Sequence, residues 1–156
     1  MIKIAQIYRA ANGTQEPFEL EFSAEELLVP EIEGPVIAQG NFLRVEEGIM
    51  MLIQELKTTQ VSPCSRCAKL LKIPLDFKPS EWLFYEEPPV EGDDENEHLQ
   101  MDTHRLELNP QSPIRQDLIL NLEQAPHCEK PCKKYEEALP GDEGVKALSS
   151  LKSLLP

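Results

Sequence analysis

The chain has 156 residues, with 15 Lys and Arg against 28 Asp and Glu, a formal charge of −13. That length sets the expectation of a single domain over 1–156, with a core large enough to fold unaided. The sign excludes a broad basic face for nucleic acid, which needs clustered Lys and Arg, and it disfavours an anionic membrane surface; a basic protein partner suits it better.

At the N-terminus, Ile2 and Ile4 alternate with polar residues, which predicts a first strand over 1–9. Lys3 and Gln6 interrupt the apolar run that a signal peptide would need. Residues 11–14 read as a turn. Phe18, Leu20 and Phe22 alternate with Glu19 and Glu21, the period-2 pattern of a half-buried strand. Ser23 and Glu26 have capping-box spacing and predict a short helix over 24–28, stopped by Pro30. Residues 36–45 and 49–62 predict a hairpin turning at 46–48, where Gly48 would supply a positive φ. Residues 68–77 read as the returning strand, and Trp82 to Tyr85 as one more.

Residues 86–97 then hold seven acids, no base and two prolines, which predicts an acidic flexible loop. Without it the net charge is −6, so about half of the imbalance belongs to this one segment. Residues 113–123 predict a helix with Pro113 in its first turn and Ile114, Leu118 and Leu122 on one face, Ile119 beside them. A last amphipathic segment over 143–155 carries Val145, Leu148, Leu151 and Leu155. The longest apolar run, 49–53, is far short of the roughly 20 residues of a membrane helix, so no membrane partner and a cytoplasmic location are expected. The fold expected is α+β: an antiparallel meander or roll with a few flanking helices.

Four cysteines carry the obvious chemistry. They form two close pairs, Cys64-Ser-Arg-Cys67 and Cys128-Glu-Lys-Pro-Cys132. In a reducing compartment such pairs point to metal ligation or redox chemistry rather than disulfides. The first pair is a C-x2-C knuckle and the second a C-x3-C; together they offer four thiolates, the donor set of a closed structural Zn²⁺ site. The long separation means that the metal would clamp distant parts of one fold and so contribute to folding. Basic residues flank both pairs: Arg66, Lys69 and Lys72 at the first, Lys130, Lys133 and Lys134 at the second. They favour thiolates and supply a candidate local contact for a partner. Ordinary packed thiols, a Cys64/Cys67 redox dithiol and an iron–sulfur cluster stay open as alternatives. The redox motif of thioredoxin-like proteins opens a helix in a βαβ unit, whereas antiparallel strands are expected here. His98 and His104 read as solvated, and His127 as an unfavoured substitute ligand beside Cys128. No phosphate loop, nucleophile elbow, HExxH or dinucleotide fingerprint is present. No pair of carboxylates stands in a setting that would tune them apart. Neither an enzyme activity nor a small-molecule substrate is expected.

Several segments, in order, carry a family resemblance. Val61-Ser-Pro-Cys-Ser-Arg-Cys67 resembles the C-x-R-C signature of the YceD-like proteins, the large ribosomal RNA subunit accumulation proteins. Ile114-Arg-Gln-Asp-Leu-Ile-Leu-Asn-Leu122 resembles that family's E-x-I-I-L-x-L-P helix, and Pro126-His-Cys-Glu129 its P-x-C segment. Val145-Lys-Ala-Leu-Ser-Ser-Leu-Lys152 is similar to its closing F-x-x-L-x-x-L-K. The resemblance spans roughly 34–155, and residues 1–33 follow the family layout more loosely. Gln116-Asp117, Glu123 and the Lys133-Lys134-Tyr135 segment depart from it. The resemblance implies a non-enzymatic role in accumulation of 23S rRNA and large-subunit assembly. The partner it implies is the large-subunit precursor or a basic ribosomal protein such as bL32, with a local rRNA contact allowed at the basic knuckles. The alternative carried beside it is a zinc-free redox protein using Cys64 and Cys67.

Overall fold

The computed structural model describes residues 1–86, 99–128 and 132. Contacts divide the chain into two units, Met1–Val61 with Lys72–Leu122, and Ser62–Leu71 with Glu123–Pro156. The predicted loop 86–97 (apart from Glu86) and the segment 143–155 lie outside the described residues.

The architecture is α+β, as expected. In chain order the elements are β1 (Ile2–Lys3), α1 (Ala5–Tyr8), β2 (Gln15–Phe22), α2 (Ala24–Leu27), β3 (Ile32–Arg44), β4 (Gly48–Pro63), β5 (Leu70–Pro74), β6 (Ser80–Tyr85), β7 (Glu107–Leu108) and α3 (Gln111–Asn121). The main antiparallel sheet has the order β2-β3-β4-β5, with β6 also paired to β4. β6 lies along the first part of β4, from Gly48↔Tyr85 to Ile53↔Ser80. A second, two-stranded sheet joins β1 to β7.

The N-terminal expectation is corrected. The strand ends at Lys3 and a helical turn follows, closed by Tyr8 N–H donating to Ile4 C=O at 2.8 Å. Ile4 and Ile7 are both buried, and their spacing of three suits one helical face better than one strand face. The alternation of Ile2 with Ile4 was the misleading signal.

β2 carries its predicted alternation, with Phe18, Leu20 and Phe22 half-buried and the Phe18 and Phe42 rings 4.7 Å apart. Pro17 is tolerated because β2 is the terminal strand of this sheet among the described residues. The capping box forms in full: Glu26 N–H donates to Ser23 Oγ at 3.1 Å, and Ser23 N–H donates to Glu26 Oε2 at 2.7 Å. α2 stops at Leu27, before Pro30, because Leu28 turns left-handed at φ 54°.

The β3–β4 hairpin turns where predicted and is longer than predicted at its β3 end. Its register slips between Gln39↔Glu55 and Gly40↔Ile53, so Gln54 is a bulged extra residue. The bulge switches the buried parity of β4 from Ile49, Met51 and Ile53 to Leu56 and Gln60. Gly48 has a positive φ, as predicted, and a second reason to be glycine. At φ 159° it begins the strand close to extended, and a side chain there would meet Phe84 O at 1.9 Å. The close approach of β6 alone requires a glycine here.

α3 begins two residues before its predicted start. Ile114 and Leu118 are 0% exposed and join Phe84, Ile49, Met51 and Leu108 in the core. Ile119, expected beside the apolar face, is 38% exposed.

Candidate metal centre

The four cysteines converge, although 60 residues separate the two pairs in the sequence. Cys64 ends the β4 excursion at a tight turn. Its N–H donates to Lys69 C=O at 2.7 Å, and its C=O accepts from Ala68 N–H at 2.9 Å. Ala68 closes this knuckle in the left-handed region, at φ 58°. Ser65 N–H donates to Pro126 C=O at 2.8 Å, which fastens the first knuckle to the segment carrying Cys128.

All four sulfurs lie within 4.8 Å of one another. Cys64 to Cys132 and Cys67 to Cys128 are 3.6 Å apart, and Cys128 to Cys132 is 3.5 Å. A regular tetrahedron of thiolates about Zn²⁺, at a bond length of about 2.3 Å, has edges of about 3.8 Å. The arrangement is therefore close to the size that a single tetrahedral ion requires. A polynuclear cluster, with bridging sulfides between the thiolates, needs a wider spread. All four are free thiols, and Cys64 and Cys132 are buried.

Electrostatics point the same way. Backbone N–H groups of Arg66, then Cys67, then Cys128 donate to the Cys64 sulfur and lower its pKa to about 5, burial opposing them. Such N–H donors are the outer support that thiolate ligands ordinarily have. Cys132 is pushed up to about 12, first by donating to Cys67, then by burial. Cys128 gains from a Cys132 hydrogen bond, yet its bonds to Cys64 and Cys67, burial and the Cys64 charge outweigh it and raise its pKa. The cluster thus holds one ready thiolate beside Cys128 and Cys132, whose ionisation is opposed by their hydrogen bonds to neighbouring sulfurs, then by burial and by the charge already present. A divalent cation at the centre would remove that opposition. The four residues fit a metal ion in number, donor type and spacing.

Arg66 and Lys69 are exposed beside the first knuckle. Lys72 pairs with Glu33. Lys130, Lys133 and Lys134 lie outside the described residues. His104 and His127 are exposed, and neither belongs to the sulfur cluster.

One polar site escaped the sequence reading. Asp117 on α3 is 4% exposed and accepts hydrogen bonds from Ser80 Oγ and, at 3.1 Å, from Trp82 Nε1. Burial raises its pKa against the opposing effect of these two bonds. Its place on the Ile114–Leu118 side of the helix was the available signal. These three residues tie α3 to β6.

Among the described residues, no helix is long and apolar enough to cross a membrane. Comparison with family models, curated proteins and solved structures finds no match to the chain.

Proposed function

We propose that the chain is a zinc-stapled, non-enzymatic assembly factor that supports 23S rRNA accumulation and large ribosomal subunit assembly in the cytoplasm. The observation that carries the zinc part is the convergence of Cys64, Cys67, Cys128 and Cys132 to within 4.8 Å. Bound there, the ion would supply cross-linking rather than catalysis, because four protein thiolates leave no open coordination position. The ribosomal part rests on the ordered resemblance to YceD-like proteins, and the antiparallel sheet carrying a cysteine corner is compatible with it. An acidic chain of this kind suits a basic ribosomal protein, bL32 being the candidate, with rRNA contact confined to Arg66, Lys69 and the lysines after Cys128.

Two experiments test the reading separately. Elemental analysis of protein purified without a metal column should find one zinc per chain. Deleting the gene should lower 23S relative to 16S rRNA, and the protein should sediment with large-subunit precursors. Unchanged 23S levels together with sedimentation only as free protein would refute the ribosomal role while leaving the zinc assignment standing.

The redox alternative has one favourable observation, the low pKa of Cys64. Against it, the short sulfur contacts run between the two pairs and within Cys128 and Cys132 rather than within Cys64 and Cys67. A reversible Cys64–Cys67 disulfide in metal-free purified protein would establish it.

A further inference from the structure

A second surface lies in the first unit. Between Arg9 and Arg44 the chain carries seven glutamates and no lysine, arginine or aspartate. This stretch forms β2, α2 and most of β3. Beside α2 an open groove of about 560 Å³ is lined by Ala24, Glu25, Leu28, Val29, Pro30 and Ile32. Val29 and Ile32 are buried and supply apolar floor, while Leu28 stands 74% exposed.

Leu28 is costly to the fold on two counts. It exposes a large apolar side chain, and it holds φ 54° at a helix end where glycine or asparagine is favoured. The cap itself is made by its backbone N–H, donating to Ala24 and Glu25 carbonyls, and needs nothing from the side chain. Folding therefore does not account for a leucine here, whereas a docking contact does.

Charge decides the occupant. Glu33 is paired with Lys72, and Glu26 is engaged in the capping box. Glu25 and Glu31 are exposed and have no cationic partner among the described residues. Lysine and arginine can lay their methylene stems on apolar surface and hold their charged heads toward carboxylates. A second copy of this chain, at −13, and an RNA would both be repelled by the glutamates.

We propose that the groove beside α2 docks a lysine- and arginine-rich segment of another protein, anchored by one apolar side chain against Leu28. This reading depends on neither the metal nor the ribosomal role. The test is fluorescence anisotropy of the full chain with a short labelled oligolysine peptide carrying one central tryptophan. Saturable binding that weakens with salt is expected. Leu28→Gly and the Glu25→Lys/Glu31→Lys pair should each weaken it by about tenfold or more. Leu28→Gly should meanwhile keep or raise Tm, because glycine accepts the left-handed backbone, so lost binding cannot be lost folding. Glu81→Lys on β6 makes a charge reversal elsewhere on the sheet and should leave affinity unchanged. Absence of binding, equal binding of the peptide with serine in place of tryptophan, or equal weakening by Glu81→Lys would overturn the proposal. So would a dimer in sedimentation that Leu28→Gly abolishes, since that assigns the groove to a second copy.

Discussion

The proposed zinc site makes a quantitative statement about pH. Above pH 5 the Cys64 sulfur is already a thiolate, because three backbone N–H groups hold its pKa at about 5. Cys128 and Cys132 are raised, Cys132 to about 12, so both carry protons near neutrality and must lose them to a metal. Each proton displaced makes apparent affinity rise about tenfold per pH unit. Two such protons require a rise of about 100-fold or more for each unit between pH 6 and 8. Below pH 5, where Cys64 also binds a proton, the dependence should steepen further. Zn²⁺ competition against a chromophoric chelator, run at constant ionic strength across this range, measures the slope. Calorimetry in buffers of different ionisation enthalpy counts the released protons independently. In the same assay Cys64→Ser should lower affinity and shallow the curve below pH 5. A slope of about tenfold per unit or less would mean that at most one thiol is displaced, which four-thiolate coordination here does not permit.

Three further outcomes test the fold around the sites. Leu118, 0% exposed in the core, should cost about 2–5 kcal/mol as Leu118→Ala in urea denaturation, with the metal content unchanged. Gly48→Ala places a Cβ at 1.9 Å from the Phe84 carbonyl oxygen, a backbone atom that cannot swing aside; at least about 1–3 kcal/mol of destabilisation is expected by thermal melting, and an unchanged Tm would contradict the close approach of β6. Asp117 has its pKa raised in the folded state, so its contribution is favourable below the unfolded value of about 3.9 and is lost as pH rises through the folded value. Asp117→Asn should therefore melt higher than the native protein at pH 7, the difference vanishing as pH falls toward 4; a lower Tm at pH 7 would show that the carboxylate's charge stabilises the α3–β6 tie.

Local signals were legible because their causes are local. Ser23 and Glu26 lie one helical turn apart, and their reciprocal bonds need no other part of the chain. The alternation in β2, the β3–β4 hairpin and the Ile114–Leu118 face of α3 are likewise properties of short windows. The two cysteine pairs offered a metal donor set from their spacing alone, with packed thiols, a redox dithiol and an iron–sulfur cluster open beside it. Tertiary structure decided what those windows cannot carry. Ile4 and Ile7 became a helical turn because both enter the core. Gly48 is needed because β6 packs on it, and Asp117 is buried because Ser80 and Trp82 meet it from β6, contacts set by sheet topology. The convergence of Cys64 and Cys67 with Cys128 and Cys132 is of the same kind. Residue types named the chemistry, but only the path of the chain could bring four sulfurs to one ion-sized space.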